Sequence, residues 1–317
     1  MVSALVVLAT HNPREDLLTV QVESLRAQTV EDWRCLVFDD SSSDADALTA
    51  VIGDDERFSV MTAQPHLGHY AAFEHLLRNG PIDAPVFLCD QDDRWTPDKM
   101  QRLLKEFDGG ADAAFSAMRV VDEQGAVLRE RFLSHDPAPG TLTPAHLLVM
   151  NSVSGAALAL SPRAIDAALP FPARRLRGWH DQWLAAVAAR IGRVEYVPEP
   201  LVDYTTHGGQ VVGLGLRSID VQRFRDYLGR IGNGRHLLPD LRSRASWVRA
   251  AAGRLLELPG PVDRDLEALA AGLHPLAAWQ LFQGWRNGDV PVTRAALLAA
   301  GFALPSLHDD QNRLLDS

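Results

Sequence analysis

Four apolar residues without a polar break run straight into three carboxylates: Val86-Phe87-Leu88-Cys89-Asp90-Gln91-Asp92-Asp93-Arg94-Trp95. A run this short and this apolar predicts a buried strand of a parallel sheet. Parallel strands need long crossovers, so this one strand commits the chain around it to an α/β architecture. Its acids then emerge at the carboxyl edge of the sheet, where open α/β sheets bind ligands. Asp90 and Asp92 are two apart, so both can reach one ion at a frayed strand end. Crowded carboxylates repel unless a cation neutralises them. Hard oxygen ligands favour Mg²⁺ or Mn²⁺, which also grip phosphates. Thr96-Pro97 predicts a helix with Thr96 as its N-cap and Pro97 in its first turn. Met100, Leu103, Leu104 and Phe107 give that helix an apolar face.

An isolated Asp-x-Asp is also what a solvated acidic turn looks like. Phosphatases of the haloacid dehalogenase kind carry one after an apolar strand, but with Thr or Val two residues after the second Asp. Arg94 stands there in this chain, and 85 residues precede the strand.

The preceding residues repeat the pattern. Ala4–Ala9, Trp33–Phe38 and Phe58–Met61 read as strands, with helical spacing at Leu18, Val22 and Leu25 and over Tyr70–Leu77. Asn12 is predicted to cap the first helix, with Pro13 in its first turn and Glu15 completing a capping box. Each strand ends in polar residues: Thr10 and Asn12; Asp39 and Asp40; Gln64, His66 and Gly68; Asp90 and Asp92. In a parallel sheet these ends converge on one crevice. The chain lacks a Gly-x-Gly-x-x-Gly after its first strand and a Walker-type loop, so dinucleotide and P-loop binding are unsupported.

Beyond Gly110 the pattern predicts a strand over Ala113–Val121, a turn at Glu123–Gly125, a helix running through Ile191 and a strand at Val194–Val197. Gly155 sits in a small, apolar stretch and either admits a ligand close to the backbone or packs tightly. Leu216 onward reads as helical. Nine arginines against three aspartates lie between Arg217 and Arg254, suiting either a solvated face or contact with anionic lipid or a polyprenyl diphosphate.

A formal net charge of −10 argues against nucleic acid as a partner. No run of 18 apolar residues and no signal-like start are present, so the chain is expected in the cytoplasm, with possible peripheral contact at the inner face of the membrane. Cys35 and Cys89 fall inside strands and are expected to be buried, reduced thiols.

Taken together, Thr10-His11-Asn12, Val37-Phe38-Asp39-Asp40-Ser41-Ser42-Ser43-Asp44, Asp90-Gln91-Asp92-Asp93-Arg94-Trp95-Thr96-Pro97-Asp98-Lys99, His180-Asp181-Gln182-Trp183 and Tyr204-Thr205-Thr206-His207-Gly208 resemble glycosyltransferase family 2. These are inverting, sugar-nucleotide-dependent enzymes of the GT-A fold. The resemblance spans residues 1–213 and is strongest to bacterial rhamnosyltransferase-type members. It implies a Rossmann-like, mostly parallel central sheet flanked by helices, with a C-terminal helical extension over residues 214–317. Residues 1–110 would form the nucleotide-sugar half and residues 111–213 the acceptor half. The resemblance implies that Thr10, Asn12, Asp39, Asp40, Gly68 and Asp90 hold the donor, and that Asp92, Asp90 and His207 face Mg²⁺ or Mn²⁺. Asp181 would be the general base, kept ionised by the helix end it opens. Trp179, His180 and Gly155 would meet the acceptor: a saccharide, a lipid-linked glycan or a small molecule. The implied donor is a dTDP- or UDP-sugar, with dTDP-L-rhamnose first. Many rhamnosyltransferase-like members have Arg-Gln where Thr205-Thr206 stand, which bears on donor phosphate contacts and on the donor sugar. Two other classes remain as comparisons. A sugar-nucleotide-binding module without activity would not need Asp90, Asp92 and Asp181 together. A nucleotidyltransferase needs a glycine-rich loop with Arg and Lys near the N-terminus, which Thr10–Asp16 lacks.

Overall fold

The computed structural model describes residues 2–62, 65–133, 136–137, 140–173, 178–207 and 237–272. Four apolar strands open the chain: β1 (Ala4–Thr10), β2 (Trp33–Asp39), β3 (Phe58–Thr62) and β4 (Val86–Cys89). They pair in parallel in the order β3-β2-β1-β4. The helices α1 (Glu15–Arg26), α2 (Ala45–Ile52) and α3 (His69–Asn79) cross between them, as the alternating pattern predicts.

The second half completes the sheet in mixed fashion. After β5 (Arg94–Trp95) and α4 (Lys99–Asp108) come β6 (Ala113–Val121) and β7 (Val127–Arg129). The helix α5 (Pro144–Met150) leads to a 3₁₀ turn at Gly155–Ala157 and β8 (Leu158–Leu160). Then α6 (Pro162–Ala168), α7 (His180–Ile191) and β9 (Val194–Thr205) follow. β8 lies antiparallel between β4 and β6, while β6 and β9 run parallel. The sequence predicts a strand at Val194–Val197, which the structure extends to Thr205. Its register against β6 shifts on either side of Ala117. Pro198 and Pro200 cannot donate to the ladder, so the strand bulges there instead of ending.

The sheet is covered on both faces. Alternate residues of β1 point to opposite sides, Leu5 and Val7 into one core and Val6 and Leu8 into the other. The first core gathers α3, α5, α6 and α7; the second gathers α1, α2 and α4. Cys35 and Cys89 are free, buried thiols in the second core.

Two further helices, α8 (Leu237–Glu257) and α9 (Arg264–Ala270), pack against the first core through Trp247, Val248, Ala251, Leu255, Leu266 and Leu269. Residues 214–236 and 273–317 of the expected helical extension lie outside the described residues. Arg190, only 7% exposed, fastens this addition. Its Nε donates to the Leu255 carbonyl at 3.0 Å and its Nη2 to Leu258 at 3.2 Å, and Nη1 reaches Pro261. A buried guanidinium thus bonds carbonyls at and just beyond the end of α8, where a cation also complements the helix dipole. Trp247 is seated directly on Gly178: a Cβ there would lie 1.9 Å from the indole Cε2.

Candidate functional site

The carboxyl ends of β1, β2 and β4 bring the sequence-predicted residues to one edge. Thr10 is buried, its Oγ1 donating to the Phe38 carbonyl at 3.4 Å. Asn12 does not cap α1, which begins at Glu15 with Arg14 in the cap position. It takes a left-handed backbone, φ 44°, and its Oδ1 accepts from Ser43 N at 2.8 Å and Ser43 Oγ at 3.0 Å. The correction has a physical reason: an Asn side chain bonds whichever backbone N–H is nearest, and here that is across the strand ends. Asp39 is buried and accepts from the Ser42 hydroxyl and, at 3.3 Å, from Ser42 N.

Asp40 has its carboxylate occupied by its own chain. It accepts from Leu67 N and Gly68 N, both at 2.6 Å, with His66 Nδ1 at 3.0 Å. Gly68 supplies the φ of 81° that turns this loop into α3. Asp40 therefore shapes the loop at the end of β3. Gln64 lies outside the described residues.

At the end of β4, Asp90 and Asp92 stay partly open and each meets a histidine. His69 Nε2 lies 3.3 Å from Asp90 Oδ1, and His207 Nε2 lies 2.7 Å from Asp92 Oδ2. Burial and then the neighbouring Asp90 push the Asp92 carboxyl above its ordinary value, against the pull of His207. Burial opposes protonation of His69, but Asp90, Asp181 and Asp92 outweigh it and raise its pKa. The third acid, Asp93, is fully buried, with Oδ1 accepting from Thr205 N at 3.1 Å. Burial and the adjacent Asp92 and Asp90 hold it well above the carboxylate range. The α4 helix starts at Lys99, not at Thr96-Pro97, and Thr96 Oγ1 bonds the Asp98 side chain at 2.9 Å. Pro97 and Asp98 form a turn first, because Thr96 is spent on Asp98 and on the Lys99 N–H.

Among the described residues no group of three His, Cys, Asp or Glu side chains is gathered tightly enough to hold a metal ion. Two carboxylates with an imidazole nonetheless fit a hard cation that takes its remaining ligands from a diphosphate. The residual negative charge, visible in the raised Asp92, is what such an ion would neutralise.

Asp181 is the second residue of α7, which is capped at Trp179 without a side-chain bond. Its Oδ2 accepts from Gly155 N at 3.0 Å. Its Oδ1 accepts from Gln182 N at 2.7 Å and from Asn151 Nδ2 at 3.4 Å. Burial raises its pKa even against these N–H donors and the nearby His69. The expected effect of the helix end is therefore outweighed by desolvation. A Cβ on Gly155 would meet His180 Nε2 at 2.7 Å, so this glycine packs tightly against its own chain and does not admit a ligand. His180 is 2% exposed and stacks flat on Phe73 at 4.1 Å, with His69 edge-on at 4.6 Å. It lies beneath the crevice, corrected from an acceptor contact to a packed ring whose pKa burial depresses. Trp179 is half-buried beside it. Sequence reasoning missed Asn151, His69 and Lys99. Only His69, directly after the flagged Gly68, carried a signal.

Residues 5–147 match the family described as Glycosyl transferase family 2. This chain carries a family 2 glycosyltransferase domain. Solved glycosyltransferases share the fold over nearly the whole chain. The structure of S. aureus TarS 1-349 in complex with UDP-GlcNAc has a TM-score of 0.55 at 13% identity, covering 95% of this chain and 90% of that one. The mannosyltransferase PcManGT from Pyrobaculum calidifontis, in complex with GDP-Man and Mn²⁺, has a TM-score of 0.53 at 15% identity, covering 95% and 80%. No curated protein sequence matches the chain. The α/β sheet with helices on both faces is thus a GT-A glycosyltransferase fold, and the chain is a glycosyltransferase. No described helix is long and apolar enough to cross a membrane.

Proposed function

We propose that this glycosyltransferase moves a sugar from a nucleoside diphosphate to an acceptor hydroxyl, with inversion and with Mg²⁺ or Mn²⁺ at Asp90 and Asp92. One observation carries the reading. His69 meets Asp90 at 3.3 Å, and Asp92 and the N–H-held carboxylate of Asp181 lie near enough that the charge of all three raises its pKa. Donor acids and a half-buried acceptor base suit a single displacement.

In this reading residues 1–110 hold the donor and residues 111–213 the acceptor. Thr10 and Asp39 line the nucleotide end. Asn12 and Asp40 fix the two loops around it, through Ser43 and through Leu67 and Gly68. The metal, when bound, neutralises the diphosphate as it leaves. Asp92, Asp90 and His207 would hold it, with Asp92 the more direct ligand, and His207 already bonds Asp92 at 2.7 Å. Asp181 takes the proton of the acceptor hydroxyl as that oxygen attacks the anomeric carbon. Its raised pKa makes it a stronger base than an exposed aspartate. Gly155 and His180 act behind it, and Trp179 is the residue left to meet the acceptor.

The donor proposed is a dTDP- or UDP-sugar, with dTDP-L-rhamnose first, because Asp39 suits a pyrimidine imide N–H. The acceptor proposed is a saccharide, lipid-linked glycan or small molecule, handled on the cytoplasmic side. Peripheral membrane contact is proposed through the Arg217–Arg254 stretch, in which Arg254 lies 5.8 Å from the Trp183 ring and Arg249 lies against Gly272. The test is a thermal-shift screen of UDP-, dTDP- and GDP-sugars with and without Mn²⁺. A specific donor raises the melting temperature by mass action, and only with metal. Stabilisation by no sugar nucleotide, or equal stabilisation in chelator, contradicts the proposal.

A further inference from the structure

We propose that Lys99 is a positioning residue for Asp181: its buried ammonium holds the Gly155–Ala157 turn so that the Gly155 N–H meets the Asp181 carboxylate. The proposal rests on the reading of Asp181 as the base and adds the device that aims it.

Lys99 is 0% exposed. A lysine is almost never fully buried unless something specific engages it. Its Nζ donates to the Ala156 carbonyl at 2.6 Å and stands 3.3 Å from the centroid of the Trp95 ring. A desolvated ammonium over an aromatic face gains from the ring quadrupole. The carboxylates of Asp93 and Asp90 act on it through space, yet the hydrogen bond goes to a backbone carbonyl 57 positions away.

That carbonyl belongs to a single 3₁₀ turn, Gly155–Ala157, buried against the sheet. The residue before it, Gly155, donates its N–H to Asp181 Oδ2 at 3.0 Å. The residue after it, Ala157, closes the turn onto the Ser154 carbonyl at 3.1 Å. The Ala156 carbonyl shares its peptide plane with the Ala157 N–H, and the Ser154 carbonyl that this N–H meets shares its plane with the Gly155 N–H, so rotation of the Ala156 carbonyl away from Lys99 is passed through the turn's hydrogen bond to the Gly155 N–H. His180 presses on Gly155 from the other side, its Nε2 lying 2.7 Å from where a Cβ would stand. The turn is therefore clamped between a cation and a ring. The decapeptide that ends β4 with the donor acids also supplies, at its last position, the strut for the acceptor base.

A strut predicts a spectroscopic effect that simple loss of packing does not. Losing an N–H donor favours the protonated carboxyl, so the Asp181 pKa should rise. The readout is ¹³C NMR of selectively labelled aspartate carboxyls, with the Asp181 signal identified by its loss in Asp181→Asn. His69 and Asp90, the other charged groups that act on Asp181, are left in place in every variant. Lys99→Met keeps the stem and removes the donor; it should raise the Asp181 pKa by about one unit. Lys99→Gln keeps a shorter donor and should fold even if the Met variant does not; it should give a rise of about half that. Binding of UDP or GDP with Mn²⁺ should be unchanged in either folded variant. An Asp181 pKa at the wild-type value in Lys99→Gln, or in a folded Lys99→Met, overturns the proposal. Full transfer activity in Asp181→Asn would instead overturn the base reading, and leaves the measured Lys99–Asp181 coupling to stand or fall by itself.

Discussion

Asp92 and Asp181 are both aspartates whose carboxyls burial pushes upward, and there the likeness ends. Behind burial, Asp92 is raised further by another carboxylate, Asp90. Asp181 is raised chiefly by burial and only lastly by Asp90, and is relieved by two backbone N–H groups and His69. The first arrangement carries negative charge that its own chain does not neutralise, which suits a cation. The second carries a carboxylate that is solvated by the protein and short of water, which suits a proton. One residue type can thus suit two purposes according to what surrounds it.

The contrast is most sharply broken by Asp181→Asn. The amide keeps the shape and cannot take a proton, so turnover should fall by about 10²–10⁴-fold, the usual worth of a general base. Release of nucleoside diphosphate in the presence of acceptor measures it, and a near-normal rate would remove Asp181 from the chemistry. Arg190→Ala alters the scaffold under Asp181 and touches neither carboxylate. It removes the buried guanidinium that ties the Leu255, Leu258 and Pro261 carbonyls to α7, which should cost about 2–3 kcal/mol in urea unfolding once water recovers part of the loss. Activity per folded molecule should hold; a loss under 0.5 kcal/mol would mean that α8 is docked by its apolar face alone. The smallest effect expected is a pH dependence. Burial lowers the Lys99 pKa from 10.5 to about 7. Between those values the unfolded chain binds the extra proton, so folding stability should rise with pH across this window. Melting temperatures from pH 7 to 10 should therefore gain more in the wild type than in Lys99→Met, and parallel curves would place the Lys99 pKa near its ordinary value.

The first half of the fold was legible because its code is repetitive. Apolar runs gave β1, β2 and β4 nearly to the residue, and polar strand ends marked the crevice. What stayed hidden depends on contacts distant in sequence. Lys99 reads as a solvated cation beside the apolar face of α4, and only the carbonyl of Ala156 reveals why it is buried. Asn12 has every local reason to cap a helix, and the Ser43 N–H across the crevice wins it instead. Pro198 and Pro200 read as a strand break because bulging against β6 is a property of the pair, not of β9. The docking of α8 was invisible for the same reason: a glycine at 178 makes room for Trp247 only once both helices are in place.

The division of labour between the two aspartates is tested most directly by titrating UDP, dTDP and GDP, each with Mn²⁺, into wild type, Asp92→Asn and Asp181→Asn. Outer-shell changes at metal sites already cost roughly 10–100-fold in affinity, so Asp92→Asn should lose at least that much of the Mn²⁺-dependent binding. Asp181→Asn should bind the preferred nucleotide as wild type does. Undiminished Mn²⁺-dependent binding in Asp92→Asn, or its loss in Asp181→Asn, would contradict the assignment of the cation to one carboxylate and the proton to the other.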